Sequence, residues 1–76
     1  MPKIGPVPAK KLIEILRREG FQVVRSKGSH VILMKEGVRT VVPVHPGKDV
    51  KPGLVRAIIR EAKIARKRFF ELLKET

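Results

Sequence analysis

Gly28-Ser29-His30 sets an imidazole directly behind a hydroxyl and a glycine. Histidine is one of the few side chains that take up and return a proton near neutral pH. A serine hydroxyl can donate to a phosphate oxygen, and a glycine lets a phosphate approach the backbone closely. Lys27 precedes the tripeptide, and Arg25 and Lys35 lie nearby in the chain. Together these residues suit acid–base chemistry at phosphorus. A neutral imidazole removes the 2′-hydroxyl proton of RNA, the freed oxygen attacks the adjacent phosphorus, and an imidazolium protonates the departing 5′-oxygen. Positive charge from Lys27, Arg25 or Lys35 would stabilise the phosphorane. The scheme needs no metal ion and no cofactor. The competing reading is a strand-end histidine that touches only solvent or backbone.

A second set follows in Val42-Pro43-Val44-His45-Pro46-Gly47-Lys48. His45 has three readings: partner to His30 in an acid–base pair, phosphate contact, or a loop residue of no special duty. Lys48, Lys51 and Arg56 surround the expected start of a helix, whose first amide N–H groups lack partners within the helix. With Gly28 and Arg60 they make a phosphate-binding patch. Lys63, Arg66, Lys67 and Arg68 extend the charge, and Arg17 and Arg18 add another edge. Two histidines with no cysteine make a poor zinc site. Phe21, Phe69 and Phe70 are the only aromatics and belong in a core. Reading of unstacked bases by exposed aromatics is therefore not expected.

The chain has 76 residues, with 18 Lys and Arg against 7 acidic residues and a net charge of +11. That length makes one domain, residues 1–76, burying roughly 60% of the surface its unfolded chain exposes. An active site must then be a shallow patch. Basic charge on a folded surface points to a polyanion, here single-stranded RNA or mRNA. Thermophile-like charge bias fits less well, because ion-pair networks need both signs. No cysteine is present, which removes disulfides and thiolate chemistry. Neither a signal-peptide run nor a segment of membrane-spanning length is seen, so no membrane role and a cytoplasmic location are expected.

The elements that must position these groups follow from periodicity. Residues 1–8, with Pro2, Gly5, Pro6 and Pro8, read as a flexible or irregular lead. Leu12, Ile13, Ile15 and Leu16 predict a helix over 9–19, stopped by Gly20, with Phe21 folding back onto Leu16 as in a Schellman cap. Strands are predicted over 21–25, 30–34 and 38–42, with turns at 26–28 and at 35–37, where Gly37 can take the left-handed position. Asp49 is the expected N-cap of the next helix, with Pro52 in its first turn. Leu54, Val55, Ile58, Ile59 and Ala62 form that helix's apolar face. Residues 51–76 read as one long helix, or as two joined by a tight bend.

The resulting fold is α+β, in the order α-β-β-β-α. Three antiparallel strands carry two helices on one face, with a short C-terminal helix as a variant. Ile32 and Met34 point to one side of the sheet and Val31 and Leu33 to the other. Helices cover one side only, so an apolar surface is left for a second copy or a protein partner.

In this order and spacing the residues resemble the HicA family of small bacterial and archaeal toxins, also known as YcfA-like proteins. The likeness spans nearly the whole chain after the lead. It rests on Gly20-Phe21, Gly28-Ser29-His30, Val42-Pro43-Val44-His45, the run Lys51-Pro52-Gly53-Leu54-Val55-Arg56-Ala57-Ile58-Ile59, and Phe69. The resemblance implies a double-stranded-RNA-binding-like fold and a ribosome-independent mRNA interferase. Its catalytic histidine would be His30, and its partner a HicB-type antitoxin that hides this histidine. Two departures stand out. Ala62-Lys63-Ile64-Ala65 replaces the glycine and the Ser or Thr often found before the last helix, and Arg66, Lys67 and Arg68 replace the usual acids before Phe69. A non-catalytic RNA-binding module of the same fold is the alternative function. A DNA-contacting regulator ranks below both, because the second helix commits a wide face to the core.

Overall fold

The computed structural model describes residues 3–76. The elements run α1 (Ala9–Arg18), β1 (Gln22–Lys27), β2 (His30–Lys35), β3 (Val38–Pro43), α2 (Pro52–Glu61) and α3 (Arg66–Glu75). The sheet is an antiparallel meander with β2 in the centre. The expected α+β order therefore holds, and the C-terminal helix is as long as the other two.

In α1, Ala9, Leu12, Ile15 and Leu16 are buried on one stripe. Its end is a full Schellman motif. The Gly20 amide donates to the Arg17 carbonyl and the Phe21 amide to the Leu16 carbonyl, both at 3.0 Å. Gly20 takes φ +98°, which suits glycine. Phe21 is thereby claimed by the cap and buried, so β1 starts one residue later than the pattern predicts. β1 also runs further, to Lys27, because Lys27 pairs with His30. The hairpin loop is therefore Gly28-Ser29 alone, with Gly28 at φ +59° as a tight two-residue loop requires.

The second loop, Glu36-Gly37, joins Lys35 to its partner Val38. Paired residues in an antiparallel sheet share a face. Leu33, Thr40 and Val42 thus turn toward the helices and are buried, with Val31 and Val38 packed beside them. α2 lies against β3, α1 against β1 and β3, and α3 against α1. The buried Thr40 hydroxyl donates to Glu61 Oε1 at 3.1 Å and ties β3 to α2. Phe69 and Leu72 bring α3 into the same apolar cluster. At the surface, Arg68 Nε donates to Glu19 Oε1 at 3.3 Å. That hydrogen bond, followed by the Glu19 charge, raises the Arg68 pKa.

Several expectations need correction. Residues 3–8 of the lead form no helix or strand, yet Ile4 and Val7 are buried, and Val7 and Val50 exchange backbone hydrogen bonds of 3.0 and 2.7 Å. Met1 and Pro2 fall outside the described residues. Asp49 does not cap α2. Lys51 holds the N-cap position in an extended conformation with no side-chain cap, because Pro52 occupies the first helical position and restricts the residue before it. Leu54 does not join the core: it is 41% exposed on the flank of α2. Of the two readings of residues 51–76, two helices joined by a tight bend is the one observed. Lys63 takes φ +58° between them, its amide donates to the Arg60 carbonyl at 3.1 Å, and the Ile64 amide donates to the Ile59 carbonyl at 2.9 Å. That is a second Schellman motif, built without glycine. Among the described residues no helix is long and apolar enough to cross a membrane.

Candidate functional site

The face of the sheet away from the helices carries the proposed chemistry. His30 pairs with Lys27 on one side and Pro43 on the other, so all three share this face. One step along, Ile32 lies between Arg25 and Val41, and Met34 lies between Gln22 and Arg39. Met34 is 38% exposed while its neighbour Leu33 is 0% exposed, which fixes the orientation of the strand. The expected apolar outer surface is therefore present, edged by cations.

Lys27, Gly28, Ser29, His30, Ile32, Arg39 and Val41 line one open depression of about 580 Å³ on this face. The Gly28-Ser29 loop is held in place by a backbone bond at its second residue: the Val44 amide donates to the Ser29 carbonyl at 2.6 Å. A Cβ built on Gly28 would meet nothing within 4 Å, so the loop is open to solvent. The depression has an aliphatic floor, an imidazole at one end and two cations on its rim. It can hold a phosphate against cations while presenting the imidazole to a neighbouring hydroxyl.

Arg39 was missed by the reading of the sequence. Alternation could have found it. A two-residue loop pairs Lys35 with Val38, so Arg39 pairs with Met34 and falls on the His30 side. The same count removes Lys35 from the site. Its Nζ donates to the Glu19 carbonyl at 2.6 Å on the helix side, so it does not supply charge to His30. Arg25 is on the correct face but outside the lining of the depression.

His45 lies in a tight turn closed by the Lys48 amide donating to the His45 carbonyl at 3.0 Å. It lines a depression with Lys48, Lys51, Leu54 and Pro43, and another beside Pro8 and Lys10. His30 is in neither. Lys48 and Lys51 are brought together at the uncapped start of α2, whose first turn holds no acidic residue. Arg56 and Arg60 are exposed on α2 and line neither the His30 nor the Lys48 depression. Among the described residues no three His, Cys, Asp or Glu side chains cluster in a way that could hold a metal ion.

No curated protein matches the chain. The model of the family described as HicA toxin of bacterial toxin-antitoxin matches residues 9–64. That span runs from the first residue of α1 through the sheet and α2 to the cap at Ile64. It covers well over half of the chain and includes His30, His45, Lys48 and Lys51. The chain therefore belongs to the HicA family, the toxins of bacterial toxin–antitoxin pairs.

Proposed function

We propose that this toxin is an endoribonuclease that cuts messenger RNA without the ribosome or a metal ion, with His30 as its acid–base group. One observation carries the reading: His30 is exposed on an uncovered sheet face, in one depression with Lys27 and Arg39. In the reaction, an imidazole nitrogen takes the 2′-hydroxyl proton. The 2′-oxygen bonds to phosphorus, and the bond from phosphorus to the 5′-oxygen breaks. The imidazolium then returns a proton to the 5′-oxygen. The products are a 2′,3′-cyclic phosphate and a 5′-hydroxyl. Lys27 and Arg39 stabilise charge on the non-bridging oxygens, and Ser29 donates to one of them. Lys48 and Lys51 hold flanking phosphates, with Arg56 and Arg60 as outlying contacts.

A HicB-type antitoxin is the proposed partner. The outer face, with Ile32, Val41 and exposed Met34 among cations, offers an apolar surface that such a partner would cover together with His30.

The second reading is a non-catalytic RNA-binding module. It is favoured by one feature: the His30 side chain has no hydrogen-bond partner among the described residues to set its tautomer. On the first reading the substrate's own phosphate supplies that contact. Wild type and His30→Ala, compared on end-labelled single-stranded RNA in EDTA, separate the two. Cleavage by wild type alone supports the nuclease. Binding by both without cleavage supports the module. Equal cleavage by both sinks the role of His30.

A further inference from the structure

Between β3 and α2 lies a second open depression, about 410 Å³, lined by Arg39, Val41, Leu54, Ala57, Ile58 and Glu61. It shares Arg39 and Val41 with the His30 depression. It shares Leu54 with the depression that holds Lys48 and Lys51. The three therefore adjoin on one surface, and Pro43, which pairs with His30, also brings the His30 face to the edge of the Lys48 depression. We infer that the trough between β3 and α2 is a base-binding subsite flanking the path of single-stranded RNA from His30 to Lys48 and Lys51, with Arg39 at its mouth. The inference rests on the ribonuclease reading and names the path of its substrate.

Charge and polarity decide which part of the nucleotide sits where. Arg39 stands at the junction, where a guanidinium can grip two phosphate oxygens at once. Beyond it the floor is aliphatic. Leu54 presents its exposed side chain beside Ala57 and Val41, a surface on which a base can lie flat. Glu61 is also part of the lining, and its carboxylate accepts from Thr40. A fixed negative charge repels phosphate, so the base and not the backbone enters the trough. The Thr40 bond also ties α2 to β3 alongside the trough. On this path Leu54 has a reason to be exposed at the position where the helix pattern predicts a core residue.

The test uses the full chain and synthetic oligoribonucleotides of stepped length, from a dinucleotide to a decamer. Cleavage gives kcat/KM, and fluorescence anisotropy on 2′-O-methyl decamers of the same sequence gives affinity without cleavage. Wild type should gain in kcat/KM as the substrate grows past the dinucleotide. Leu54→Ser should lose about fivefold of that gain, as expected when a partly exposed leucine no longer shields a base from water. Arg39→Ala should weaken decamer binding about tenfold, and Arg39→Lys should restore only part of it, because lysine lacks the paired donors. Val24→Ser, at an exposed apolar position outside the three depressions, serves as the control and should match wild type. If Leu54→Ser keeps wild-type length dependence and wild-type affinity, the subsite is overturned, whatever His30→Ala does. If wild type cuts no RNA, the ribonuclease reading falls, and the anisotropy series alone decides the subsite.

Discussion

The two faces of the sheet are made from the same strands and have opposite fates. On the helix side, Leu33, Thr40 and Val42 are buried. On the other side the intervening residues are His30, Ile32, Met34, Arg39 and Val41, and all of them reach solvent at least in part. A strand alternates its side chains, so a single step along the chain moves from a residue that holds the fold to one that faces a ligand. The difference teaches that stability and chemistry can be changed separately here, although the residues responsible are neighbours in sequence.

The largest expected effect is on the open face. His30→Ala should lower the cleavage rate by at least about 10²-fold, the usual scale of a missing acid–base group. Its folding free energy should change by no more than about 0.5 kcal/mol, because the residue is exposed. Labelled-RNA cleavage and urea unfolding on the same preparations check both halves. A large loss of stability would mean that His30 belongs to the fold and that the separation of faces is wrong.

Next comes the closed face. Leu33→Ala should cost about 2–5 kcal/mol through reduced burial and an unfilled cavity. A domain of this size has about 4–11 kcal/mol in total. The variant should therefore unfold at much lower urea, while Met34→Ala, one residue on, should shift the midpoint far less. Equal shifts would show that the outer face is covered in solution, for instance by a second copy of the chain.

This alternation made much of the fold legible. Apolar runs separated by Gly28 and Gly37 give three strands and their order, and the i, i+3, i+4 spacing in α1 gives its buried stripe. The histidine and the charge could be read directly as chemistry. Arg39 could not, since its place depends on register across a loop and not on its neighbours in sequence. Lys35 failed for the same reason in reverse: it stands one residue from Met34 and so on the other face. Asp49 looked like a cap by type, but proline at position 52 moved the helix start beyond its reach. Leu54 satisfied the helical period and still lies outside the core, because the buried stripe of the helix runs through Val55, Ile58, Ile59 and Ala62 and leaves Leu54 at its edge.

A smaller effect distinguishes two groups of cations on the surface. Lys48 and Lys51 sit together beside the proposed RNA path, whereas Arg56 and Arg60 do not share a depression with either lysine or with His30. Replacing both lysines by alanine should lower the slope of log affinity against log salt by about 0.7 for each phosphate that is no longer neutralised. The paired change at Arg56 and Arg60 should move the slope less. If the two pairs behave alike, the RNA spreads over α2 and does not follow the path from His30.

The smallest predicted effect tests the two helix caps, which share one hydrogen-bond pattern and differ in one residue. Gly20 closes α1 and Lys63 closes α2, at φ +98° and φ +58°. At the first, the left-handed backbone favours glycine and a side chain would also crowd a neighbour. A Cβ there would meet Lys35 Cε at 3.2 Å, where that side chain crosses to the Glu19 carbonyl. At the second, a side chain is tolerated in a conformation that costs most residues about 1 kcal/mol, held by the two amide bonds and by burial of Ile59 and Ile64. This is why the break between α2 and α3 was hidden in the sequence: the usual punctuation is missing while the physics of the cap is intact. Lys63→Gly should therefore stabilise the protein by about 0.5 kcal/mol, the relief of strain being partly offset by the greater freedom of glycine in the unfolded chain. Gly20→Ala should destabilise it by about 1 kcal/mol or more. Urea midpoints moving in opposite directions at two caps of the same design would show that the backbone of the second is strained, and a loss of stability in Lys63→Gly would show that it is not.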